Sequence, residues 1–221
     1  MNVEEARFNM IHRQIRPWGV PDPGVLALFR AVRREDFVPE GRKALAFADL
    51  EIPLKLHSAP GQVMLPPRVE GRILQEIGLR NADKVLEIGA GSGHMAALLA
   101  AKAEFVHAVE IDPDLALLAR RNLQAAGMVN ASVDLGDASQ GWDIYAPYDV
   151  IVISGALPAL PEALPRLLKV GGRLAAFVGE APAMQARLVR RLDENAFAER
   201  NLFETVVAPL ANARRREKFV F

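Results

Sequence analysis

The stretch Val85-Leu86-Glu87-Ile88-Gly89-Ala90-Gly91-Ser92-Gly93 constrains this chain more than any other. A short apolar run, Lys84 to Ile88, ends on three alternating glycines, and an Ala/Leu-rich segment, Met95 to Ala103, follows. The pattern reads as strand, tight turn, helix. Glycines in such a turn reach backbone angles other residues avoid and let a ligand approach the main chain. The helix that follows opens with unpaired N–H groups that suit an anion or a carboxylate.

The rest of the chain repeats the alternation. Strands are expected at Phe105 to Ile111, Ala131 to Leu135, Asp149 to Ile153 and Arg173 to Val178, and helices at Val69 to Ile77, Pro113 to Ala126, Leu157 to Leu168 and Ala183 to Leu192. The run Asp149 to Ile153 hardly alternates in polarity, as expected of a strand buried on both faces. Two late segments, Phe203 to Val207 and Lys218 to Phe221, read as an antiparallel edge. The expected fold class is therefore α/β: a doubly wound, mostly parallel sheet with an antiparallel C-terminal addition. Residues 1–67 differ in texture. Helices are expected at about 3–16, stopped by Pro17, and from Asp22-Pro23 through Val32. The stretch 48–67 holds Pro53, Pro60, Pro66 and Pro67, a long irregular segment of the kind that often carries function. We read 1–67 as an N-terminal cap and 68–221 as the α/β core of a single domain.

Composition narrows the classes of function. The 27 basic and 27 acidic residues cancel, so no overall field points to nucleic acid or an anionic membrane. The basic cluster Arg214-Arg215-Arg216 reads as a solvated turn, not a nucleic-acid site. Cysteine is absent, which excludes disulfides and thiolate chemistry and suits a reducing compartment. His12 and His107 show no metal-ligand spacing, so no metal is expected. No secretory signal and no span of about 20 apolar residues is visible, and we expect a soluble cytoplasmic protein.

Three acids give the glycine loop its ligand class. Glu110 closes the strand after the loop, where an acid suits the two hydroxyls of a ribose. Glu87 precedes the first glycine by two residues, where it can meet the amino group of an amino acid. Asp137, in Gly136-Asp137 after the third strand, can meet an adenine amino group. The spacing Gly-x-Gly-x-Gly is not the dinucleotide fingerprint. A nucleoside joined to an amino acid fits better than a dinucleotide or a purely structural loop. The bland readings are a helix cap for Glu87, an exposed strand end for Glu110 and a turn for Asp137. Their joint placement at successive strand ends favours the site.

With these residues in view, the chain resembles the protein-L-isoaspartate O-methyltransferase family. The resemblance runs through Val85 to Gly93, Gly136-Asp137 with Gly141-Trp142, Ala146-Pro147-Tyr148-Asp149, and Gly171-Gly172-Arg173-Leu174. Upstream it includes Val32 to Pro39 and Ala46 to Asp49. It implies S-adenosyl-L-methionine as cofactor, held by Glu87, Gly89, Ala90, Gly91, Ser92, Gly93, His94, Glu110, Ile111, Asp137 and Ala138. It also implies isoaspartyl-containing peptides or proteins as acceptors, methylated on the carboxylate for repair. Monomer and dimer both remain open.

The chain departs from the family at one place. Where the family carries Gly-Gln-Thr-Ile-Ser-x-Pro, this sequence reads Gly61-Gln62-Val63-Met64-Leu65-Pro66-Pro67, so both acceptor-side hydroxyl positions are apolar, at Val63 and Leu65. His57, Ser58 and Arg68 flank the run and are candidate replacements. The same residues also read as ordinary loop and first-turn positions. Two alternatives stay open: methyl transfer to a different acceptor, and a cofactor-binding protein without catalysis.

Overall fold

In the computed structural model, which describes residues 2–55 and 61–213, the glycine loop sits at the carboxyl edge of a seven-stranded sheet. The strands are β3 (Lys84–Ile88), β4 (Phe105–Glu110), β5 (Ala131–Leu135), β6 (Tyr148–Leu157), β7 (Leu168–Glu180), β8 (Ala183–Arg191) and β9 (Phe197–Glu204). Their spatial order is β5-β4-β3-β6-β7-β8-β9. β3 to β7 pair in parallel, and β8 and β9 add antiparallel. The chain reverses its direction of winding between neighbours β3 and β6. That crevice is where an open α/β sheet binds its ligands. A small hairpin of β1 (Ile52–Pro53) and β2 (Val63–Met64) stands apart.

The two faces of the sheet are covered unequally. On one face lie α3 (Pro67–Ile77), α4 (His94–Ala100) and α5 (Pro113–Ala125), packed on Val85, Val106, Val150 and Phe177. The N-terminal residues join the same apolar cluster through Met10, Ile15, Phe29 and Phe37. The opposite face, with Leu86, Ile151, Leu174 and Val189, is covered by two crossovers that are mostly loop. Among the described residues, the only helix on it is α6 (Ala163–Arg166).

Local chemistry explains the elements. Asn2 caps α1 (Val3–Asn9), its side-chain oxygen accepting from the N–H groups of Glu4 and Glu5. The chain then continues through a wide π-helical turn, Met10–Ile15, and a 3-10 turn, Arg16–Trp18, so Pro17 sits inside the final turn. Asp22 caps α2 (Pro23–Ala31) through Gly24 N–H at 2.7 Å, with Pro23 in the first turn as expected. β6 buries Val150 and Val152 against the helices and Ile151 and Ile153 against the other face.

Two expected helices are corrected. Ala183–Leu192 is not helical; it forms β8, paired residue for residue with β7 from Arg173↔Arg190 to Glu180↔Ala183. The cross-strand ladder and the burial of Met184, Ala186 and Leu188 override the helix preference of Ala, Gln, Leu and Arg. Leu157–Leu168 is helical only at Ala163–Arg166, because Pro158, Pro161 and Pro165 remove the donors a longer helix needs. The expected strand at Phe203–Val207 is displaced to Phe197–Glu204. Lys218–Phe221 and the Arg214–Arg216 cluster lie outside the described residues.

Candidate active site

The cofactor-side geometry follows from the turn after β3. Gly89 N–H and Ala90 N–H both donate to Val109 O, at 2.8 and 3.2 Å, which fastens the loop to β4. Gly93 has φ +82°, and a Cβ there would lie 3.2 Å from the backbone of Ala119 in α5, so only glycine fits. Ser92 is buried, and its carbonyl accepts from Asn122 Nδ2 at 2.9 Å, locking the start of α4 to α5.

Above the loop lies a cavity of about 300 Å³. Gly89, Gly91, Glu110, Ile111, Asp137 and Ala138 line one side, and Gly61 to Val63 with Leu65 line another. The site residues expected from sequence are therefore largely brought together. Glu110 is buried; its Oε2 accepts from Gly91 N–H at 2.8 Å and its Oε1 from Asp112 N–H at 3.0 Å. Each oxygen keeps a lone pair for a hydroxyl donor. Asp137 accepts from Ser139 N–H at 2.9 Å and from Asn212 Nδ2 at 3.0 Å. Partial burial works against its charge, but these hydrogen bonds outweigh it and hold the carboxyl below the usual range.

Glu87 stands one step behind the wall. It is fully buried, and Ser154, itself on the cavity wall, donates to its Oε1 at 2.9 Å. Its Oε2 has no partner among the described residues. Burial, opposed by the Ser154 hydrogen bond and reinforced by the charges of Glu70 and Glu110, pushes its carboxyl well above the ordinary range. Buried polar atoms normally have a hydrogen-bond partner, so this oxygen has room for one more donor.

Four expected residues do not reach the cavity wall and serve the scaffold. Ala90, Ser92 and Gly93 shape the turn. His94 points away from the cavity, 1% exposed, with Nδ1 2.9 Å from Glu70 Oε1 and its ring edge-on to Phe37. Burial lowers its pKa, opposed by the charge of Glu70 and the hydrogen bond to it. A residue opening a helix has no sequence mark that tells inward from outward, which is why a ligand contact was expected there. Arg68 is likewise placed elsewhere: it pairs with Asp49 at 2.5 Å and lies over the Trp18 ring at 5.1 Å. His57 and Ser58 lie outside the described residues.

The structure adds wall residues that sequence reasoning missed. Leu54 and Leu115 supply apolar surface, and Ser154 and Gly155 come from the exit of β6. A strap, Val207 to Ala211, forms another part of the wall, anchored by Ala156 N–H to Ala208 O and Leu210 N–H to Ala156 O, both at 2.9 Å. Gly155 was the available signal: a Cβ there would strike Leu210 at 2.6 Å, and a lone glycine in an apolar strand marks close approach. Together these groups fit a nucleoside carrying an amino acid. Glu110 can accept from hydroxyls and Asp137 from an exocyclic amine, Ile111 and Leu115 offer apolar surface to a flat ring, and the Glu87 carboxyl lies behind the wall.

The family profile described as protein-L-isoaspartate(D-aspartate) O-methyltransferase matches residues 6–215. The chain belongs to this methyltransferase family. A protein-L-isoaspartate O-methyltransferase of Pelobacter propionicus is 38% identical over 96% of this chain and 93% of its own length. One from Rhodopseudomonas palustris is 40% identical over 92% of both. Solved protein-L-isoaspartate O-methyltransferases share the fold. One superposes with a TM-score of 0.80 at 22% identity, covering 96% of this chain and 66% of that one. A Plasmodium falciparum β-aspartate methyltransferase in complex with S-adenosyl-L-homocysteine gives 0.79 at 17% identity over 95% and 98%. No helix among the described residues is long and apolar enough to cross a membrane.

Proposed function

We propose that this methyltransferase moves a methyl group from S-adenosyl-L-methionine to the side-chain carboxylate of isoaspartyl residues in peptides and proteins, as a step of protein repair. The observation that carries the reading is one cavity bounded by acids from successive strand ends and by the Gly61–Leu65 run. Glu110 would hold the ribose hydroxyls, Asp137 the adenine amine and Glu87 the ammonium. The bound cofactor supplies an electrophilic methyl group on a sulfonium. The protein's own task is positioning. A carboxylate is ionised near neutral pH, so no side chain need remove a proton. Orienting two reactants within one cavity supplies most of the acceleration. The strap Val207 to Ala211 and Leu54 keep water from the reacting atoms, and Val63 and Leu65 face the acceptor. A chain without cysteine suits the reducing cytoplasm in which this reading places it.

The apolar pair Val63 and Leu65 is the observation that favours a second reading, methyl transfer to another acceptor. Labelled S-adenosyl-L-methionine with two peptides that differ only in isoaspartate versus aspartate decides between them. Methylation of the isoaspartyl peptide alone is expected. Cofactor binding without transfer to either peptide would move the function to another acceptor or to binding without catalysis.

A further inference from the structure

The helix-poor face of the sheet carries a second, larger groove of about 840 Å³. Its floor is formed by β7, β8 and β9, through Val178, Gln185 and Arg187 among others, and its side wall by Pro158 to Leu160. Gln185 and Arg187 alternate along β8 with Met184, Ala186 and Leu188, which face the helices, so the groove floor is the opposite face of the sheet. It exists because the β6–β7 crossover forms only the four-residue helix α6 and leaves these strands open.

Two chain segments carry the groove into the cofactor cavity. Gly155 lines the cavity and Pro158 the groove; Val207 lines the cavity and Glu204 the groove. Each pair is three Cα steps apart, at most about 11 Å. An extended peptide advances about 3.3 Å per residue, so a polypeptide whose side chain enters the cavity reaches the groove about three residues away. The groove is also acidic. Glu180, Glu199 and Glu204 line it against one cation, Arg187, which stands 3.7 Å from Glu199. Glu180 and Glu204 form no ion pair with any described residue.

We propose that this groove binds the substrate polypeptide about three residues from the methylated side chain and selects Lys or Arg there. The proposal rests on the reading that the acceptor belongs to a polypeptide.

The test uses the full chain, nine-residue peptides with a central isoaspartate, and Lys, Ala or Glu placed singly at each other position. Initial rates with labelled cofactor give kcat/KM, and anisotropy of the same peptides carrying a fluorophore gives binding without turnover. Lys is expected to exceed Glu by roughly two- to tenfold at one position about three residues out, the effect of one or two exposed pairs. The preference should shrink as salt rises and vanish in E180Q/E204Q. A preference that survives in E180Q/E204Q, or charge effects equal at all positions, would overturn the groove assignment. If no peptide is methylated, the activity reading fails on its own. Anisotropy then decides the groove: weaker binding of the Lys peptide by E180Q/E204Q supports it, and equal binding overturns it.

Discussion

Glu87 is a fully buried carboxyl with one oxygen unpartnered among the described residues, so the proposed ammonium contact and the stability of the fold meet in it. Burial pushes its carboxyl well above the ordinary range, opposed by the Ser154 hydrogen bond and reinforced by the charges of Glu70 and Glu110. A carboxyl raised on folding contributes stability that is fully present below the unfolded pKa, about 4.3. That contribution is lost as pH climbs through the folded value. Thermal unfolding of ligand-free Glu87→Gln should therefore match the wild type below pH 4 and gain on it as pH rises. The same variant loses a charge-assisted hydrogen bond to the ammonium, so its affinity for S-adenosyl-L-methionine should fall roughly ten- to a hundredfold. Calorimetric titration measures this, and unchanged affinity would remove Glu87 from the site. On the acceptor side, Val63→Thr is nearly isosteric and returns a hydroxyl to the wall. A restored partner for a desolvated oxygen is worth about 1–3 kcal/mol, so isoaspartyl kcat/KM should rise about fivefold to a hundredfold. No gain in a variant that still binds cofactor would mean the acceptor carboxylate does not rest against this run. Leu65→Ser is the poorer probe, because Leu65 is 5% exposed and its truncation leaves a void. The placement of Glu110 and Asp137 on the cavity wall could be read from sequence, because Glu110 closes β4, Asp137 follows β5, and both strands end at the same edge of the sheet. Ser154 could not, since its role exists only when β6 lies beside β3.

At the scale of elements, one buried network ties the N-terminal segment to the sheet's helices. Arg34, fully buried, donates to Ala46 O at 3.1 Å, Leu65 O at 2.7 Å and Glu70 Oε2 at 2.5 Å, and Glu70 also meets His94. One guanidinium thus joins the segment before α3 to both α3 and α4, and it fixes the backbone of a cavity residue. Removing one member of a buried pair leaves the other charge uncompensated, at about 3–5 kcal/mol. Arg34→Ala should lower unfolding free energy by that order in denaturant titration, and a loss below 1 kcal/mol would show that the network contributes little. Spacing does not disclose such a network, because its members are far apart in the chain and each reads as an ordinary surface charge. The opposite holds for β3 to β5 and the helices between them, where local pattern and tertiary placement agree. β8 shows why local pattern can fail. Its residues favour a helix one by one, yet Met184, Ala186 and Leu188 fall at every second position, and the two-residue link Ala181-Pro182 brings the segment back along β7. The alternation was present in the sequence; its partner strand decided which signal counted.

Over the whole molecule, the cavity is lined by parts from distant regions of the chain. Leu54, Gly61 to Val63 and Leu65 come from before α3, Gly89 and Glu110 from the centre, Asp137 from beyond β5, and Val207 to Ala211 from beyond β9. Asn212 then donates to Asp137, linking the end of the strap to the loop after β5. A ligand that contacts all of these binds only when they are assembled, so its binding free energy adds to the stability of the fold. At a cofactor concentration one hundred times Kd that linkage is about 2.7 kcal/mol. For a chain of this size each kcal/mol moves Tm by about 2–4 °C, so S-adenosyl-L-methionine or its demethylated product should raise Tm by about 5–11 °C in a single transition. Asn212→Ala should retain that single transition with a smaller shift at the same ligand concentration, because the strap is then less well held over the bound nucleoside. Two separated transitions, with only one responding to ligand, would instead mean that the N-terminal segment and the strap fold independently of the site they cover.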